Sequence, residues 1–310
     1  MSTALVLADR GAGLTTFVGL LYTAQVRLGI EEADEFRFSA DRESIRRIAA
    51  IYASLGDGRF PEADADWEQH PLAFVFGFRR RGLMGFAGGE PSDEGSFDTV
   101  QFQIGGMPVR DVAELDGHDA RLEAGTQRLL RSQVVLPLVD ASGLSPEPTD
   151  AAGRTMAGYD RVLASTFTLL GKFLAAEPER RARRMYPLFV VTKFDRVAPG
   201  ALRRLHAPAG PPGDWTDQER ADVGTHLLAT YLPETTKVFV RKGAGALVHE
   251  APRWYFSGVG TEERDGETRI VRRARPPLGG WEPEYPYGEF RALLWRMSEI
   301  AHRLPQEVLA

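Results

Sequence analysis

The chain of 310 residues contains no cysteine. That one absence excludes disulfides, thiolate nucleophiles and cysteine-ligated metal centres together, and it fits the cytoplasmic location expected here. No apolar run approaches the ~20 residues that a membrane-spanning helix needs. The opening Met1-Ser2-Thr3 and its five-residue apolar continuation are too short, and lack the leading positive charge, for a signal peptide, so no leader is expected. No charge sign dominates. Lys and Arg number 38 against 43 Asp and Glu, for a net charge of −5, so neither nucleic acid nor a membrane is an expected partner. The basic runs Arg79-Arg80-Arg81 and Arg180 to Arg184 are short and read as solvated element ends. What is present is an ordinary globular composition, 43% hydrophobic and 26% charged, with material for a substantial core.

Hydrophobic patterning alternates strand with helix. Ala4 to Leu7 is a short apolar run, Ala8 to Gly13 a turn, and 14 to 29 a helix with a broad apolar face. Residues 31 to 70 read as an insertion carrying one amphipathic helix, about 41 to 55. Leu72 to Arg79 and Thr99 to Ile104 read as strands joined by a Gly- and acid-rich hairpin loop, Gly82 to Ser96. Val134 to Val139 and Tyr186 to Val191 are continuous apolar runs, as in buried parallel strands. Helices are expected at about 153 to 176, 217 to 231 and Glu289 to Arg303. Short strands are expected at Lys237 to Val240 and Trp254 to Ser257. Ala198 to Trp215 reads as a surface loop, and Arg275 to Tyr287 as a proline-rich segment too near the end to divide domains. The expectation is an α/β fold. It has a mostly parallel central sheet with helices on both faces and one antiparallel hairpin edge. In such sheets ligands sit beyond the carboxyl ends of the strands.

Four motifs fall at such ends. The first strand exits into Ala8-Asp9-Arg10-Gly11-Ala12-Gly13-Leu14-Thr15-Thr16, which follows G-x-x-x-x-G-K-[ST] with Ala8 for the first glycine and Leu14 for the lysine. Its backbone N–H groups could still meet a phosphate at the helix N-terminus, Thr15 could offer a hydroxyl to Mg²⁺, and Arg10 could stand in for the lysine. An ordinary β-turn-α unit shares this pattern. The second motif, Thr192-Lys193-Phe194-Asp195, follows a buried strand and matches [NT]-K-x-D, whose carboxylate accepts from N1 and the 2-amino group of guanine. Adenine lacks that 2-amino donor. The third, Phe256-Ser257-Gly258-Val259-Gly260, offers backbone groups to a guanine oxygen, or is a turn after a strand. The fourth is an eroded D-x-x-G, Gln103-Ile104-Gly105-Gly106 followed by Met107, or a glycine-containing bulge. Asp140, ending its strand, reads as a cap before a ligand.

In this order the motifs resemble the Ras-like branch of P-loop GTPases. More narrowly they are similar to bacterial double-GTPase proteins of the TRAFAC clade, found in conflict or signalling systems. Asp9 to Thr16 matches that family's D-R-G-[SA]-G-K-T-T except at Leu14. Leu55-Gly56-Asp57-Gly58-Arg59-Phe60-Pro61 matches its L-x-x-G-x-W-P segment, with Asp64 in place of the switch threonine, and Leu138-Val139-Asp140 matches its V-D strand end.

The resemblance implies a GTPase-like domain over 1 to 260 and a C-terminal extension, 261 to 310, packed on the same domain. It implies a nucleotide site of Arg10, Gly11, Gly13, Thr15, Thr16, Lys193, Asp195, Ser257 and Gly258. GTP or GDP is the candidate ligand, and Mg²⁺ would be held through Thr15. The departures at Leu14, Asp64, Gln103 and Met107 all fall on the phosphate side. They imply weak or absent hydrolysis, no catalytic residue, and a regulatory or scaffolding role with a protein partner, another GTPase or an effector of the same system. An active GTPase with a different phosphate-binding residue and a nucleotide-free interaction domain are the alternatives. The insertion, the loop 198 to 215 and the tail beyond 260 are candidate docking surfaces.

Overall fold

A computed structural model of the chain describes residues 2–33, 36–62, 72–79, 97–115, 124–146, 150–175, 184–242, 246–274 and 280–307. The expected hairpin loop Gly82 to Ser96, Asp64 and most of the basic run at 180 to 184 lie outside them.

In chain order the elements are β1 (Ser2–Leu7), α1 (Leu14–Glu31), β2 (Phe36–Ala40), α2 (Arg42–Gly56), β3 (Leu72–Arg79), β4 (Phe97–Met107), α3 (Val109–Glu114), α4 (Ala124–Leu130) and β5 (Val134–Asp140). They continue with α5 (Ala151–Ala175), β6 (Tyr186–Thr192), α6 (Pro199–Arg204), α7 (Asp217–Tyr231), α8 (Pro233–Val240) and β7 (Arg253–Phe256). Last come β8 (Thr261–Arg264), β9 (Glu267–Ile270), β10 (Arg272–Ala274), β11 (Trp281–Pro283) and α9 (Tyr287–Glu307).

Seven strands form one sheet in the order β2-β3-β4-β1-β5-β6-β7. The pairings β4·β1, β1·β5, β5·β6 and β6·β7 are parallel, while β2·β3 and β3·β4 are antiparallel. The sheet is therefore mostly parallel, with its antiparallel part at one edge. β8·β9 and β10·β11 are separate two-stranded ladders.

The continuous apolar runs are explained by layers on both faces. Along β1, Ala4 and Val6 join one core with Phe17 and Leu21 of α1, Ile48 and Leu55 of α2, and Leu294 and Met297 of α9. Leu5 and Leu7 join the opposite core with Val112 of α3, Leu163 and Phe167 of α5 and Leu227 of α7. β5 and β6 divide in the same way, Leu136 and Val190 to one side and Val135 and Phe189 to the other. A strand buried on both faces has no use for a polar alternate position.

Three readings are corrected. The segment Lys237 to Val240 is the last turn of α8, which starts at Pro233. Proline suits the first turn of a helix, where its missing N–H costs nothing. The insertion 31 to 70 holds an edge strand, β2, besides its helix. β2 pairs across to β3 through Ala40 and Phe74, and α2 then starts at an Asp41 cap that accepts from the Ser44 amide at 2.7 Å. The loop 198 to 215 contains α6.

The fourth motif also changes meaning. β4 does not end at Ile104 but continues to Met107, and Gln103 lies in mid-strand opposite Thr3. Met107 is 2% exposed in the core. A Cβ on Gly105 would lie 2.5 Å from Leu129 Cδ2, so this glycine makes room for α4. The strand's true exit is Pro108, which leads into α3 with Arg110 and Asp111.

Candidate functional site

The chain runs from β1 toward one edge through β2 and β3, then returns past β1 to build the other half from β5 onward. Such a reversal leaves a crevice at the carboxyl ends of the strands. The exits of β1, β5, β6 and β7 carry Ala8 to Gly13, Asp140, Thr192 to Asp195 and Ser257 to Gly260.

The first exit is a tight turn. Gly11 and Gly13 adopt φ of 80° and 84°, in the left-handed region that costs side-chain-bearing residues strain. Gly13 then caps α1, and the Phe17 amide donates to its carbonyl at 2.8 Å. The turn is tied down from the neighbouring strand. The Thr192 hydroxyl, buried at 3% exposure, reaches the Ala12 carbonyl at 2.7 Å and the Val139 carbonyl at 3.3 Å. Leu14 packs against the core under α1, and Thr15 is buried at 8% exposure.

At the β6 exit Lys193 takes φ of 54°. Its Nζ bonds Asp140 Oδ2 at 2.6 Å, which leaves the aliphatic stem to line a cavity. Asp140 also accepts from the Ser142 amide at 2.9 Å. It is thus both a cap and an ion-pair partner. Burial raises its carboxyl, but the bonds from Lys193 and Ser142 outweigh burial and hold it below the ordinary range.

Asp195 stands in a different field. Burial pushes its carboxyl up, and its own amide, the Val259 amide and the charges of Arg196 and Lys193 pull back without overcoming it. The Val259 amide donates to Oδ1 at 3.3 Å. The loop from β7 fits closely over this carboxylate, since a Cβ on Gly258 would lie 2.6 Å from Oδ1. Ser257 contributes by its backbone. Its amide donates to the Val191 carbonyl at 2.8 Å, and its carbonyl accepts from the Phe194 amide at 3.0 Å. Both groups are spent on joining β7 to the β6 exit, so any backbone donor for a ligand comes from farther along the loop.

A cavity of about 300 Å³ brings these exits together. Of the residues expected from the sequence, Gly11, Gly13, Thr16, Lys193, Asp195, Ser257 and Gly258 all line it. Arg10 does not. It lines a separate cavity of about 590 Å³ on the other side of the turn, with Asp9, Arg110, Asp111 and Asp140. There Arg110 Nε stands 4.0 Å from Asp9 Oδ2. Burial raises the Asp9 carboxyl, with Arg110 opposing and Asp111 adding to the rise.

Phe60, Pro61 and Arg196 also line the cavity; none was among the expected site residues, although Phe60 and Pro61 stand in the segment likened to L-x-x-G-x-W-P. Phe60 is 40% exposed, costly for an aromatic without a partner. An aromatic-proline pair just past a helix end was the available signal. Among the described residues no cluster of three or more His, Cys, Asp or Glu could hold a metal ion, and no helix is long and apolar enough to cross a membrane. No protein-family model matches the chain, and no curated protein matches it either.

Proposed function

We propose that this protein is a guanine-binding, GTPase-like protein of the Ras-like P-loop fold, with the phosphate half of its site weakened, and that it acts as a regulatory or scaffolding component beside a protein partner. The observation that carries the reading is the convergence of Lys193, Asp195, Gly258, Gly13 and Thr16 on one cavity of about 300 Å³. The volume suits a purine and its sugar. The half-buried Asp195 carboxylate is a strong acceptor for paired N–H donors, as on the N1 and 2-amino edge of guanine. Phe60 and the Lys193 stem, which both line the cavity, offer apolar surface to a flat ring.

On the phosphate side the reading predicts weak grip and slow turnover. Leu14 brings no charge and packs on the core. The turn still presents backbone amides at a helix N-terminus, which favours an anion without a lysine.

The test is calorimetry with guanosine, GDP, GTP and the adenine counterparts. Guanosine and GDP should bind with similar affinity, adenosine should not bind, and Asp195→Ala should remove guanosine binding. Equal binding of adenosine and guanosine, or no binding of either at millimolar concentration, would sink the proposal.

A further inference from the structure

A larger cavity, of about 750 Å³, lies behind the base cavity and shares Asp195, Gly258 and Val259 with it. One wall is the turn Gly210-Pro211-Pro212-Gly213 with Val197 and Leu202, and the other is the segment from Glu284 to Gly288. Two of the candidate docking segments, the loop 198 to 215 and the tail beyond 260, are therefore two walls of one site. The proline rings and Leu202 are apolar, and Phe194, Tyr285 and Tyr287 add aromatic surface.

The polar groups are unevenly matched. Arg27 lies 4.0 Å over the Tyr287 ring and is spent on Glu31 at 2.7 Å and Glu282 at 3.2 Å. Arg273 is spent on Glu284. Asp195 has no such partner, its nearest guanidinium being the half-exposed Arg196 at 4.0 Å. Among the described residues the buried Tyr285 Oη has no hydrogen-bond partner. A site with its cations already paired, a carboxylate left over and flat apolar walls selects a flat ligand that brings N–H donors and positive charge.

We infer that this cavity binds a small planar cation of the amidinium or aminoheterocycle class. Its ring lies between the proline turn and Tyr285, and its N–H groups face the Asp195 carboxylate. The cavity shares Asp195, Gly258 and Val259 with the guanine cavity and differs from it in the proline turn and the Glu284 to Gly288 segment, so the two ligands compete for one carboxylate while their other walls can be altered separately.

Benzamidine is the probe, with benzoate as a control of the same size and opposite charge, both titrated calorimetrically into the full chain. Benzamidine should bind and benzoate should not. Leu202→Trp fills the cavity and should weaken benzamidine at least ~10-fold, the loss of one charge-assisted contact. Pro212→Trp narrows the same cavity from its rim, without entering the core, and should act likewise if Leu202→Trp impairs folding. Tyr285→Phe should weaken binding less. Phe60→Ala, in the base cavity, should leave benzamidine unaffected while weakening guanosine. The inference is overturned if benzamidine does not bind, if benzoate binds equally, or if Phe60→Ala abolishes benzamidine binding while both tryptophan variants retain it. A failure of guanosine binding alone would instead bear on the guanine reading.

Discussion

Thr192 shows how one side chain can join two strand exits of a candidate site. Its hydroxyl joins the β6 exit to the glycine turn through the Ala12 carbonyl at 2.7 Å. Thr192→Val keeps the shape but leaves that buried carbonyl unsatisfied. The expected cost is about 1–2 kcal/mol, read as a lower urea midpoint, with faster hydrogen exchange concentrated in residues 9 to 13. Leu14 makes the complementary point. Its side chain packs at the core edge, so Leu14→Lys trades some packing for a charge at the mouth of the turn. If missing charge is the defect, GDP affinity should rise about 10- to 100-fold, the worth of a charged hydrogen bond, while guanosine affinity stays constant. A rise in neither would mean that no phosphate approaches this turn.

At the scale of elements, register decides what a residue is for. Gln103 to Met107 look like an exit loop when the strand is ended at Ile104. With β4 carried to Met107, Gly105 packs under α4 and Gly106 lies beside Val6. Gly105→Val would drive methyl groups into Leu129, whose side chain can yield only partly. The expected destabilisation is about 1–3 kcal/mol, seen as a lower thermal midpoint, with guanosine affinity unchanged after refolding. The same register places Gln103 within the sheet, opposite Thr3, rather than at its exit. The residues leaving β4 toward the crevice are Pro108, Arg110 and Asp111, and all three line the cavity beside Asp9.

At the scale of the whole molecule, the C-terminal helix α9 is fastened to the β7 edge of the sheet by a buried charge. Glu289 is 1% exposed. It accepts from the Phe256 amide at 2.8 Å and pairs with Arg220 of α7 at 2.9 Å. Burial pushes its carboxyl up to about 7, with Arg220 and the Phe256 amide opposing. Because the folded value lies above the unfolded one, the folded state holds its proton more tightly. This group's stabilisation is therefore full below about pH 4.5 and is lost as pH rises through about 7. The loss between pH 5 and 8 should be on the order of 2 kcal/mol. Thermal melts of wild type and Glu289→Gln should lie closest at low pH, where the wild-type carboxyl is protonated like the amide, and wild type should lose stability relative to the variant as pH rises through about 7. Parallel curves would mean that Arg220 keeps Glu289 ionised throughout.

The amino-acid sequence by itself determined the α/β alternation, the buried strands and most of the helices. It also identified the turn at Ala8 to Gly13 and the Thr192 to Asp195 exit as chemically special. These are properties of local pattern, set by side-chain period and by glycine or a carboxylate at a strand end. Only the tertiary structure decided the rest. It placed Gly11, Gly13, Thr16, Lys193, Asp195, Ser257 and Gly258 in one cavity and sent Arg10 to another. It carried β4 three residues past Ile104, turned Lys237 to Val240 into helix, and brought Phe60 to the same cavity as Lys193 and Asp195. The reason is physical. Where a strand ends is fixed by its partners across the sheet, as Met107 is by Leu7. Which exits share a crevice is fixed by strand order, which brings residues 180 positions apart within hydrogen-bond distance.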